Sequence, residues 1–144
     1  MIHVTSNSRR TMLAISMTAV ACVVMLAIGT SRSSAAASCG PGPTRTHDGR
    51  TYQTKTCPNT AGVGVYEIYA SGKLGPRLDT MRSTTSWFAC QERFASVPNP
   101  ALGVGRNHYW LWTEGDDNGT WGWFPANGIK LGGQEAAIPG VPIC

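Results

Sequence analysis

The sequence predicts an all-β fold, a small five-stranded barrel with two disulfides, and four observations point to it. Residues 108–113 and 120–126, HYWLWT and TWGWFPA, flank EGDDNG, whose Asp, Asn and Gly are the residues that hairpin turns demand. Gly and Pro supply 25 of the 107 residues after position 37, roughly twice ordinary usage, and all 12 aromatics fall in the same stretch. No window there carries a helical period, while several short runs alternate or are rich in β-branched and aromatic residues. Finally, four cysteines, Cys39, Cys57, Cys90 and Cys144, lie in a stretch too short to bury a generous core.

The 144 residues allow one compact domain, and their formal net charge of +4 depends on the first segment. Residues 1–37 read as a signal peptide. Arg9 and Arg10 precede the uncharged run MLAISMTAVACVVMLAIG, and Ala35, Ala36 and Ala37 offer a small-residue cleavage site before Ser38. A retained anchor is the alternative, since the run just reaches the length of a membrane span, but Ser16, Thr18 and the Ala-rich site favour cleavage. In both cases Arg9 and Arg10 keep the N-terminus inside, so the remainder is expected to be extracytoplasmic, and secreted without stable membrane insertion once cleaved. A lipidated Cys39 lacks the large aliphatic residue expected three places earlier.

After residue 37 nine basic residues face eight acidic ones, a net charge of +1. That balance argues against nucleic acid or anionic lipid as a partner, because such binding draws on clustered Lys and Arg.

Residues 38–60 lack periodicity and are dense in turn formers, so an irregular, disulfide-tethered N-terminal extension is expected there. VGVYEIYA, residues 63–70, alternates as a strand, with Val65, Glu67 and Tyr69 opposite Tyr66, Ile68 and Ala70. Residues 71–81 carry Gly72, Gly75 and Pro76 and read as a long irregular turn. TTSWFACQERF, residues 84–94, reads as the second strand, and the Pro/Gly-rich residues 95–107 as a loop. In the hairpin, Tyr109 and Leu111 oppose Trp110 and Trp112, and Trp121 and Trp123 oppose Phe124; Pro125 ends the pairing. A tight turn at 126–128 leads to a short strand at 129–131. The barrel thus spans 61–133, and 134–144 form an irregular tail closed by a disulfide.

Cys22 falls in the apolar leader, leaving four cysteines and three possible connectivities, between which sequence does not choose. Cys39–Cys57 with Cys90–Cys144 is preferred, because the first closes a local loop and the second pins the C-terminal residue to a central strand. The absence of C-x-x-C and H-x-x-x-H spacings argues against zinc.

Tyr109-Trp110, a polar turn, Gly122-Trp123-Phe124-Pro125-Ala126 and Ile129 together resemble the C-terminal half of bacterial SH3-like (SH3b) domains. More narrowly, the WF-x-C strand and the ending Pro139-Gly140-Val141-Pro142-Ile143-Cys144 are similar to small secreted SH3-like proteins of actinobacteria. The resemblance covers about residues 61–144; the strand after the long loop departs from it in lacking a repeated Lys-Gly. It implies a non-catalytic, wall-associated module that binds peptidoglycan or its peptides; no cofactor and a monomer are expected. The alternative is a secreted inhibitor or effector that docks on an extracytoplasmic protein, such as an exported protease, through the loops at 71–81 and 95–107.

Both faces of the hairpin carry aromatics, and a barrel this small cannot bury both, so one cluster should stand half exposed. Trp112 and Trp121, accompanied by Tyr66 and Tyr69, are the candidate ligand-binding residues. No nucleophile sits in a G-x-S-x-G elbow, His47 beside Asp48 lies in the irregular extension and His108 at a strand start, so no catalytic residue is assigned. Glu114, Asp116 and Asp117 read as turn chemistry instead of a calcium loop.

Overall fold

The computed structural model describes residues 37–103 and 105–144. The expected signal peptide therefore lies outside the described residues except for Ala37. The described chain is all-β: β1 (Gly40–His47), β2 (Arg50–Pro58), β3 (Val63–Ile68), β4 (Leu74–Met81), β5 (Thr85–Phe88), β6 (Cys90–Arg93), β7 (Tyr109–Glu114) and β8 (Trp121–Pro125), followed by a 3₁₀ turn at Ala126–Gly128. They form two antiparallel sheets, β1-β2-β5 and β4-β3-β8-β7-β6. These sheets are not hydrogen-bonded into one closed barrel.

The first departure from expectation is the N-terminal extension, which is a regular hairpin. Asp48 and Gly49 take φ of 48° and 74° between the paired ends His47 and Arg50. Two consecutive left-handed residues give a turn whose twist matches its strands, and Asp-Gly is suited to it. Thr44 and Thr46 in β1, and Thr54 and Thr56 in β2, alternate with larger polar side chains, while Thr51 lies on the opposite face of β2 from Thr54, and β-branched Thr fits a pleated surface. The pattern is polar on both faces, so hydrophobic periodicity carries no trace of it.

The second departure is β4, which occupies most of the expected loop at 71–81. Pro76 is tolerated because β4 is an edge strand and its missing N–H interrupts no inner ladder. Gly75 is needed for a different reason: a Cβ there would lie 2.9 Å from Cβ of Glu67 and 3.1 Å from the Tyr69 ring.

The third is a break in the expected strand 84–94 at Ala89. β5 pairs with β2 and β6 with β7, so the chain passes from one sheet to the other at this residue, whose N–H donates to the Trp112 carbonyl. The crossing ties both sheets to one core of Val63, Val65, Met81, Phe88, Leu111, Phe124, Ile129 and Ile138, in which the Phe88 and Phe124 rings lie 5.4 Å apart. Burying each such side chain contributes about 1.5–3 kcal/mol. The expected final strand at 129–131 reduces to one bridge, Asn59 to Ile129.

Both preferred disulfides are present, Cys39–Cys57 and Cys90–Cys144. They fit an oxidising environment. In the chain-entropy account, loops of 18 and 54 residues correspond to about 3 and 4 kcal/mol. The tail is irregular in backbone and firmly placed. Gln91, 1% exposed, donates through Nε2 to the carbonyls of Ile138 and Val141 and accepts through Oε1 from the Ile138 N–H. Among the described residues no helix is long and apolar enough to cross a membrane.

Candidate binding site

The period of two along β7 and β8 sorts their side chains as the sequence suggests. Leu111, Thr113 and Phe124 are buried inward, while Trp112, Trp121 and Trp123 face outward and are half-buried. Cross-strand register sets Tyr66 opposite Trp123, Trp123 opposite Trp112, and Trp112 opposite Cys90, so one row crosses the sheet. Gly122 lets β3 come close enough to β8 to complete that row. A Cβ at this position would sit 2.8 Å from Val65 Cγ1 and 2.9 Å from the Tyr66 carbonyl oxygen.

Trp110 shares the outward face but is 0% exposed, and the carbonyl of Val97, in the segment after β6, accepts its indole N–H at 2.8 Å. Asn99 and Asn107 hold that segment, donating to the carbonyls of Tyr109, Gly133 and Ala136.

The β1–β2 hairpin lies against the rest of the aromatic face. Its register places Arg45, His47, Arg50 and Tyr52 on one side. The His47 ring stacks on Trp121 at 4.4 Å with planes 13° apart. Trp121 also meets Trp87 at 5.1 Å, and Tyr52 and Trp112 at 5.9 Å each. The guanidinium of Arg45 lies 5.1 Å from the centre of Trp87, and that of Arg50 5.2 Å from Tyr52, both within cation–π range.

Two grooves open on this face. One, of about 520 Å³, has Trp112 and Trp123 in its lining, with Tyr52 and Arg50 from the hairpin and Glu92, Ile143 and the Cys90–Cys144 bridge from β6 and the tail. Ile143 is 66% exposed. The other, of about 340 Å³, lies between Tyr66, Leu78, Trp121 and the same two tryptophans. The Trp112 and Trp123 rings are 5.0 Å apart and tilted by 54°, and so are common to both grooves. Unlike Trp110, the indole N–H groups of Trp87, Trp112, Trp121 and Trp123 donate to no described residue.

The turn between β7 and β8 holds this face in register. Asp79, on β4 and 4% exposed, accepts four backbone N–H groups: Thr80 and Asp117 on Oδ1, Asn118 and Thr120 on Oδ2. Burial works against its charged form, but these donors outweigh burial and hold its pKa below the usual carboxylate range. Asp116 accepts from the Arg82 and Ser83 N–H groups and the Ser83 hydroxyl. Asp117 pairs with Arg82 at 2.8 Å and 2.9 Å, and hydrogen bonding to that guanidinium lowers its pKa. These acids are engaged in fixing the turn. His47 lies 3.2 Å from Asp48, and His108 Nδ1 lies 2.8 Å from Glu135.

Of the four residues selected from sequence, Trp112, Trp121 and Tyr66 come together along one groove. Tyr69 does not join them. It sits at the β3–β4 turn, 45% exposed, with its ring beside Gly75. Sequence reasoning missed Trp123, Trp87, His47, Tyr52 and Arg50. Trp123 was legible from its shared face with Trp121; of the hairpin only the Asp48-Gly49 turn left a signal, and that signal does not single out His47, Tyr52 or Arg50.

Comparison with protein-family models, with curated proteins and with solved structures finds no match for the chain.

Proposed function

We propose that this chain is a secreted, non-catalytic binding module of the SH3-like kind that recognises cell-wall peptidoglycan. The observation that carries this reading is the outward cluster of Trp112, Trp121 and Trp123. These rings are half-exposed, they line two grooves, and their indole donors have no acceptor among the described residues. Apolar faces of this kind on small domains are uncommon without a ligand. The export signal expected in residues 1–37 and the two disulfides support a site of action outside the cytoplasm. The resemblance of residues 61–144 to SH3b sequences directs the choice of ligand to the wall.

The second reading, an inhibitor presenting the loops at 71–81 and 95–107, has less behind it. Residues 74–81 form β4, and the other loop is hydrogen-bonded to Trp110 through Val97. Co-sedimentation with purified peptidoglycan separates the two: a wall-binding module pellets with the polymer, and an inhibitor stays in the supernatant.

A further inference from the structure

The part of a polymer that such a face reads depends on the shape of its aromatic floor and on the hydrogen-bonding groups around it. Extended peptides are held in two general ways, by pairing with an exposed strand edge or by inserting proline rings into slots between aromatic side chains. Neither is provided beside the larger groove. The outer edge of β6 is occupied by the tail, with the Gln91 N–H donating to the Pro142 carbonyl and the Cys144 N–H to the Gln91 carbonyl. The aromatic rings touch one another: Trp112 meets Trp123 at 5.0 Å and Trp121 at 5.9 Å, and Phe94 meets Trp123 edge-on at 4.9 Å. Rings with centres this close leave no room for a proline ring between them, and their tilts of 54°, 42° and 77° make the surface an angled one of separate aromatic faces.

A single exposed indole face in such a surface suits a ligand that has a flat apolar face of its own and polar groups around its rim. A pyranose ring is such a ligand. Its axial C–H groups carry partial positive charge and pack on the negative face of an indole. Its hydroxyls can both donate and accept, and the groove offers partners of both types. Glu92 is an acceptor and Arg50 a donor, both lining the groove, and neither forms an ion pair among the described residues. The indole N–H groups add further donors. A volume of about 520 Å³ lies within the usual range for small-molecule sites.

We propose that the Trp112–Trp123 groove is a saccharide site, in which a pyranose ring stacks on one of the two indoles and abuts the other, and its hydroxyls bridge Arg50 and Glu92. This rests on the wall-binding reading for its biological source: the glycan strand of the polymer, not its stem peptide, is the part recognised.

The test uses the full disulfide-bonded chain and three probes: a β-1,4-linked N-acetylglucosamine tetrasaccharide, a free stem tetrapeptide, and intact peptidoglycan. Titration with the tetrasaccharide is expected to give a saturable change in tryptophan fluorescence, while the tetrapeptide gives none. Trp123→Ala should abolish the response. Glu92→Gln should weaken binding on the order of tenfold, as loss of one charge-assisted hydrogen bond implies. Near-UV circular dichroism and thermal melting check that each variant is folded, and Glu92→Gln, on the groove rim, serves if Trp123→Ala does not fold. Pelleting with intact wall but no response to the tetrasaccharide overturns the saccharide site and leaves the wall-binding reading standing. Failure to bind any of the three overturns both. Tetrasaccharide binding that is unchanged in Trp123→Ala and Glu92→Gln overturns the assignment to this groove.

Discussion

Replacing Asp79 by Asn is nearly isosteric and tests whether the aromatic hairpin depends on one buried carboxylate. In the native protein each oxygen accepts two backbone N–H groups, at 2.6 Å and 3.0 Å on Oδ1 and at 3.1 Å and 2.9 Å on Oδ2. An amide can supply only one accepting oxygen, and its NH₂ group would face two donors. Each hydrogen bond to a charged acceptor is worth about 1.5–3 kcal/mol in isolation. Two are lost outright and two lose the charge, but the released turn can reach water, so a net loss of about 3 kcal/mol is expected. For a domain of this size that is a fall in Tm of about 15 °C.

The pH dependence supplies an independent signature. A carboxylate whose pKa is depressed by folding contributes stability that is fully present above its unfolded value, about 3.9, and is lost as pH falls through the lower folded value. Asn does not titrate. The stability gap between the wild type and Asp79→Asn should therefore be widest near neutral pH and narrow progressively below about pH 4. Urea denaturation followed by tryptophan fluorescence, from neutral pH down to about pH 2.5, measures both quantities. A gap below about 1 kcal/mol at neutral pH, or one that does not narrow in acid, refutes the reasoning.

Four further outcomes follow from the packing. Gly49→Ala places a side chain at φ 74° and should destabilise the β1–β2 turn by about 1 kcal/mol, visible as a loss of His47–Trp121 stacking in near-UV circular dichroism. Gly122→Ala forces a Cβ against the Tyr66 carbonyl and Val65, and should cost about 1–3 kcal/mol by denaturant titration while altering the groove between Tyr66 and Trp121. Phe124→Ala empties the centre of the core beside Phe88 and should cost about 3–5 kcal/mol, read from the same titration. The double change Cys90→Ser and Cys144→Ser should cost about 2–4 kcal/mol and expose the β6 edge, read as faster hydrogen exchange at Gln91 and Cys144.

The elements legible in the sequence are those in which hydrophobic pattern and turn chemistry agree. The β7–β8 hairpin combines alternating aromatics with an Asp/Asn/Gly turn, and its inward and outward faces emerge as the alternation predicts. Cys39–Cys57 followed from local loop closure, but the tail's docking on Gln91 did not, since a glutamine in a strand gives no sign that it will accept from and donate to backbone 47 and 50 residues away. β1 and β2 stayed hidden because threonine alternating with polar residues has no hydrophobic contrast, although Asp48-Gly49 marked the turn. β4 stayed hidden because Gly75 and Pro76 read as loop formers, whereas an edge strand accommodates both. The site inherited these gaps. Trp112, Trp121 and Tyr66 could be chosen from the legible strands, but the hairpin side chains stacked against them could not.

The central claim is that the outward tryptophan face is a ligand surface and not merely covered core. Co-sedimentation of the wild-type protein and the Trp112→Ala and Trp123→Ala variants with purified peptidoglycan, each shown to be folded, tests it most directly. The wild type should pellet with the polymer, and both folded variants should remain in the supernatant. Pelleting of both folded variants to the same extent as the wild type would contradict it, as would a wild-type protein that stays soluble throughout.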